Sequence, residues 1–218
     1  MENRQLKDIT LFAISSIYIN ETIKSLLISS EHIDFGSIKL MTHERPWNLP
    51  DKIEYVKIPK ITDIMQYNNF CFYDIGQYIN TSHGLLTQFH AYILNPEVFE
   101  ESWLQYDWIG AIWPLRSGSF IANNGETVRN GNGGFSLRSK KLMEIPKKYN
   151  WELRQDQGFF NEDGNLTTYY RKEMLELGIK YAPTEVATKF SFENYVPENV
   201  GVKTWGFHRN LPYWESQK

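Results

Sequence analysis

The sequence predicts an α/β protein with a mixed, mostly parallel sheet flanked by helices. Two observations predict it. The chain opens strand, helix, strand, strand, with short apolar β segments around an amphipathic helical one, and later apolar runs continue to alternate with helical patterns. The third observation sets the scale: 218 residues at 41% hydrophobic suffice for a large core, and no repeat, low-complexity tract or linker divides them. One domain over residues 1–218 is expected.

The elements follow in order. Thr10 to Ser15 (Thr-Leu-Phe-Ala-Ile-Ser) reads as a buried strand. Glu21 to Ser30 carries Ile23, Leu26, Leu27 and Ile28 on a helical stripe, with Asn20 as its expected N-cap. Ser37 to Thr42 and Ile53 to Ile58 read as the second and third strands. In a parallel sheet ligands sit beyond the carboxyl ends of strands, where Ser15-Ser16 and Thr42-His43-Glu44-Arg45 fall. Asn68 to Ile79 reads as a helix, Gly84 to Leu94 as one strand stopped by Asn95-Pro96, and Glu97 to Leu104 as a short helix. An apolar run from Tyr106 to Trp113 closes at Pro114, and residues 115–130, rich in Gly, Ser and Asn, read as a mobile loop. A helix over Asn165 to Leu177 ends at Gly178, and the tail from Pro197 reads as irregular.

Bulk properties exclude several classes. A net charge of -3 and a pI near 6.0 argue against a general electrostatic grip on nucleic acid. The single Cys71 leaves no internal disulfide and no zinc-knuckle spacing. No run is long enough to span a bilayer, and Met1 to Asp8 begins no signal peptide, so a cytoplasmic location is expected. Phosphate-loop, Rossmann, serine-elbow and His-Glu-x-x-His motifs are all missing. Aromatics at 15% suit both a core and the stacking of sugars or bases.

The segment from Val128 to Ser139 (Val-Arg-Asn-Gly-Asn-Gly-Gly-Phe-Ser-Leu-Arg-Ser) is the most informative. Glycines let backbone approach a ligand closely, and Asn130 and Asn132 add amide arms, so the loop suits the wall of a polar-ligand site; a hairpin turn explains it equally well. Among single polar residues, His90 sits in an apolar stretch and reads locally as a core histidine. His208, in Trp205-Gly206-Phe207-His208-Arg209, has small and flat neighbours that favour a site. Asp156 could cap a helix or act as a base, and Glu162-Asp163-Gly164 reads as an exposed turn.

Taken in order, several short motifs resemble a family of GT-A-type glycosyltransferases. They are Thr10 to Ser16, Ser29 to Gly36, Ile38 to Leu40, Leu85 to Asn95, Tyr106 to Pro114, Gly131 to Ser139, Gly178 to Pro183, Phe190 to Glu193 and Gly206 to His208. The Gly-Asn-Gly-Gly-Phe-Ser-Leu-Arg block beside Tyr-Asp-Trp-Ile-Gly is the most specific, and the resemblance spans nearly the whole chain.

The resemblance implies a nucleotide-sugar-dependent transferase with one Rossmann-like sheet. It places Ser15, Ser16, His43 and Glu44 near the nucleotide, the Asn130–Gly134 loop (with Asn132, Gly133 and Gly134) near donor sugar and acceptor, and Gln88 among the nucleotide-sugar-binding residues. It makes Asp156 the base of an inverting reaction on a glycan or lipid-linked glycan, the last implying work at the inner face of a membrane. It also implies Mn²⁺ or Mg²⁺ on the donor diphosphate. Here the chain departs from the pattern: Gln88-Phe89-His90-Ala91 stands where the family has Gln-x-Asp-Gly. Either His90 and His208 hold the metal, or fixed cations meet the charge, or turnover is lost and a sugar-nucleotide or glycan-binding module remains. A nucleotidyltransferase would want clustered carboxylates, for which no convincing pair is evident.

Overall fold

The structure is a computed structural model that describes residues 3–115, 120–155 and 161–209. In chain order its elements are β1 (Arg4–Ile14), α1 (Ile19–Ser29), β2 (Ile33–Thr42), β3 (Glu54–Lys57), α2 (Ile64–Tyr73), β4 (His83–Thr87), β5 (Ala91–Ile93), β6 (Trp108–Ile109), β7 (Phe135–Ser139), α3 (Lys140–Lys148), α4 (Glu162–Gly164), α5 (Arg171–Glu176), α6 (Thr184–Phe190), β8 (Ser191–Phe192) and β9 (Gly206–His208). Six strands form a sheet in the order β3-β2-β1-β4-β7-β6, parallel from β3 to β4 and antiparallel at β7 and β6. A smaller sheet runs β5-β9-β8. This is the expected mixed, mostly parallel sheet flanked by helices.

Burial on both faces explains why β1 is apolar without interruption. Its side chains alternate. Leu11 and Ala13 join a cluster with Trp103, Phe135, Phe190 and Trp205, while Phe12 and Ile14 join Met41, Phe70 and Met143 on the other face. The chain passes from β1 through α1 to β2 on one side, yet β1's other neighbour is β4. Connections diverge at such a switch and leave a crevice at the carboxyl ends of the two strands. Because β7 is antiparallel, its first residues, after the glycine-rich loop, reach that same end: Phe135 pairs with Thr87.

Several local expectations are corrected. Asn20 lies inside α1. The residue before the helix is Tyr18, left-handed at φ 52°, and no side chain caps the first turn. The stretch from Gly84 to Leu94 is two strands of different sheets, because a turn closed by Ala91 N–H to the Gln88 carbonyl (3.0 Å) separates β4 from β5. Asp63 accepts from Gln66 N–H and so starts α2 before Asn68. Pro96–Val98 and Glu101–Gln105 are 3₁₀ turns, and Asn165–Tyr169 forms a π-helical segment before α5. Gly178 takes φ 75° just past α5, as expected of a helix-ending glycine. In the stretch 115–130, the part from 120 onward is tied down: Arg171 holds Glu126 through two hydrogen bonds of 2.7 Å. Among the described residues no helix is long and apolar enough to cross a membrane.

Candidate active site

Two adjoining clefts open at the switch between β1 and β4. The first, of about 380 Å³, is walled by the loop Asn132-Gly133-Gly134, by Asp163 and by Trp113. The second, of about 330 Å³, is lined by Ser15, Ser16 and Tyr18 after β1 and by Phe89 after β4. Ile64, Tyr67 and Gln88 line both and form the partition. The glycine-rich loop is thus a cleft wall and not a two-residue hairpin.

His208 anchors the floor of the first cleft. Strand β9 carries it, it is 2% exposed, and each ring nitrogen has a protein partner. Nδ1 lies 3.1 Å from Glu193 Oε1 and 3.2 Å from Asn132 Nδ2, and Nε2 lies 3.1 Å from Gln88 Oε1. Asn132 also donates to Glu193 Oε1 at 2.8 Å. The ring fits only because residue 134 is glycine, since a β-carbon there would come within 2.2 Å of Nε2.

The acidic wall is α4. Glu162 is buried and paired at 2.8 Å with Arg138, itself fully buried on β7. Arg138 also donates to the Gly133 carbonyl at 3.1 Å and so locks the glycine loop. Asp163 accepts from Gly133 N–H at 3.0 Å and from Gly164 N–H at 2.7 Å. Burial, and secondly the Glu162 charge, push its carboxyl up to about 7. An acid poised there is half ionised near neutral pH, which suits proton transfer. The expectation that Glu162-Asp163-Gly164 is an exposed turn is therefore overturned. Asn161 precedes an acidic first turn with Leu166 and Thr167 following, a helix-start pattern that could have flagged it.

The other expected residues separate. Gln88, Asn132, Gly133, Gly134 and His208 converge in the first cleft. Ser15 and Ser16 line the second, but their hydroxyls serve the loop: Ser15 donates to the Ile17 carbonyl and Ser16 accepts from Ile61 N–H. His43 and Glu44 line neither cleft, because they leave β2, one strand beyond the switch. Asp156 lies outside the described residues. Trp113, Phe120 and Glu193, to which the sequence assigns no site role, also line the first cleft, as does Asp163 of the expected exposed turn.

His90 sits in the turn after β4, its ring 4.7 Å from that of His208. Burial, then His208 and Arg209, hold it down at about 4, so it is neutral at pH 7. Its Nδ1 is buried and has no hydrogen-bond partner among the described residues. The two histidines are neighbours, but imidazole binds metal through a nitrogen lone pair and both nitrogens of His208 already face protein groups. Among the described residues no group of three or more His, Cys, Asp or Glu is arranged to hold a metal ion. These residues do not fit the expected Mn²⁺ or Mg²⁺ site.

A family model described as "protein of unknown function (DUF5672)" matches residues 51–208, well over half of the chain. The chain belongs to the DUF5672 family. The matched span holds the partition, the glycine loop, the acidic wall and His208. No curated protein sequence matches this DUF5672 member. Solved structures similar to it include the galactosyltransferase LgtC in complex with donor and acceptor sugar analogs, at TM-score 0.54 and 12% identity over 94% of this chain and 87% of that one. An active-site mutant of LgtC gives 0.53 and 15% over 92% and 86%. A glycosyltransferase involved in the glycosylation of the major capsid of PBCV-1 gives 0.51 and 14% over 96% of both chains. At these identities the likeness establishes the fold, which is that of GT-A glycosyltransferases.

Proposed function

We propose that this DUF5672 chain is a nucleotide-sugar-dependent glycosyltransferase, its residues 1–218 forming one catalytic domain. The observation that carries the proposal is Asp163: a carboxyl fixed by two backbone N–H groups and pushed up to about 7 by burial and then by the Glu162 charge, in a cleft that adjoins a second one across a shared partition. The second cleft takes the nucleoside, where Tyr18 and Phe89 stack at 4.5 Å and offer a flat face to a base. The donor sugar crosses the partition at Gln88 toward His208, and the acceptor enters the first cleft.

In the proposed step the acceptor hydroxyl attacks the anomeric carbon, the bond to the nucleotide diphosphate breaks, and Asp163 receives the hydroxyl proton. Direct attack with one base inverts the anomeric centre. Gln88, Asn132 and Glu193 fix His208 and the sugar-facing polar atoms. Among the described residues lining the two clefts, Arg209 is the one permanent cation and is the group assigned to the leaving diphosphate. The base is assigned to Asp163 in place of Asp156.

The acceptor class is a glycan, free or lipid-linked; a lipid-linked one would bring the protein to a membrane face. A second reading, a sugar-nucleotide or glycan-binding module without turnover, is favoured by His90 at the position of the resembled family's carboxylate. Release of nucleoside diphosphate from a panel of sugar nucleotides separates the two. Stoichiometric binding without release by the wild type would establish the second.

A further inference from the structure

We infer that Trp113 and Phe120 form the acceptor platform, and that the acceptor is an uncharged hexopyranoside stacked on it through its C–H face. The inference rests on the transferase reading for its direction, donor on one side and acceptor on the other. The platform's position comes from the clefts: Trp113 and Phe120 line the first and take no part in the second, so they lie on the side away from the nucleoside.

The platform is built into the fold. The two rings lie 4.5 Å apart at 39°. The Trp113 indole fits only because residue 131 is glycine, since a β-carbon there would come within 2.1 Å of Cζ3 and 2.2 Å of Cη2. Its backbone is gripped from both sides: its N–H donates to the Arg129 carbonyl at 2.6 Å, and its carbonyl accepts from Arg129 Nε at 2.6 Å. Arg129 is in turn held by Glu198 at 2.8 Å. One residue further on, the Asn130 side chain accepts from Gly110 N–H at 2.7 Å and donates to the Ala182 carbonyl at 2.8 Å. An exposed indole on a free loop would lose this order.

The chemistry of the surroundings selects the ligand. The same cleft is lined by amides and carboxylates, Asn132, Asn161, Asp163 and Glu193, groups of the kind that hydrogen-bond hydroxyls. A flat apolar face beside such groups matches a pyranose, with one face of C–H bonds and a rim of hydroxyls. An alkyl chain would displace water from these polar groups without offering them any hydrogen bond, and an anionic acceptor would meet the Asp163 and Glu193 charges with Arg209 as the one cation among the described residues lining the cleft to offset them.

Saturation-transfer NMR on the full chain with methyl β-D-glucopyranoside, methyl β-D-galactopyranoside and methyl α-D-mannopyranoside tests this, with glucose 6-phosphate and n-octanol as the anionic and alkyl comparisons. The expected result is strongest transfer to ring C–H protons of at least one methyl glycoside. Its affinity should fall about tenfold or more in Trp113→Ala and in Phe120→Ala, and largely return in Trp113→Phe. Gly131→Ala, which displaces the indole without removing it, should weaken binding as well. Circular dichroism and thermal melts verify folding, and should Trp113→Ala fail to fold, Phe120→Ala and Gly131→Ala decide. Unchanged affinity in those folded variants, absence of any methyl glycoside binding by the wild type, or preference for the phosphate or the alcohol would each overturn the inference. Failure of the transferase reading is distinguishable: pyranosides would still bind through Trp113 while no sugar nucleotide is bound or cleaved.

Discussion

His208 occupies the space that a side chain at Gly134 would need, its Nε2 2.2 Å from where a β-carbon would stand. The ring cannot yield, because Gln88 and Glu193 hold it from opposite sides. Gly134→Ala should therefore cost about 1–3 kcal/mol, as overpacking of a fixed site does. Urea unfolding would show a lower midpoint at unchanged slope.

The Arg138–Glu162 pair is buried, Arg138 completely and Glu162 to within 5% of its side chain. Removing one partner strands the other, so Glu162→Ala should destabilise by about 3–5 kcal/mol. The double change Arg138→Met with Glu162→Leu should recover most of that loss, since two uncharged side chains leave no buried charge. A double-mutant cycle by chemical denaturation measures both.

The pH profile follows from Asp163. Its carboxyl is pushed up to about 7 by burial and then by Glu162, and a base acts only when ionised. Transfer should rise with pH, tenfold per unit, and level off above about 7; at pH 5 it should be down about 100-fold. Glu162→Gln removes the neighbouring negative charge, which favours ionisation, and should move the limb to lower pH. Initial rates across a pH series, with folding verified at each point, give the test.

Tyr18 stacks on Phe89 at the rim of the second cleft despite the left-handed backbone it must adopt. Tyr18→Ala should raise the donor KM and leave kcat nearly alone, with about 1–3 kcal/mol lost from nucleotide affinity. Titration with the free nucleoside diphosphate measures it directly.

How much of this was legible in the sequence depends on the range of the interactions. The β1-α1-β2-β3 opening was readable because local periodicity follows burial, and Gly178 because a left-handed helix end asks for glycine. The glycine loop stood out for the same reason, but its role depended on Arg138 and Asp163 reaching Gly133 from other elements. Glu162-Asp163-Gly164 has a local composition that suits a turn as well as a helix start; the arginine that pairs with the buried Glu162 lies 24 residues away. His90 reads from sequence as part of one strand because no Gly or Pro marks the break. The break is made instead by the Thr87 hydroxyl donating to the Ala91 carbonyl at 2.9 Å. His43 and Glu44 ended a real strand, but strand order decides which ends meet at the switch, and local pattern does not encode that order.

The most direct test compares Asp163→Asn and Asp156→Asn with the wild type, measuring donor binding by calorimetry and nucleoside diphosphate release with an acceptor present. The account predicts that Asp163→Asn binds donor yet loses about 10²–10⁴ in turnover, while Asp156→Asn keeps it. Wild-type turnover by a folded Asp163→Asn protein would contradict the account.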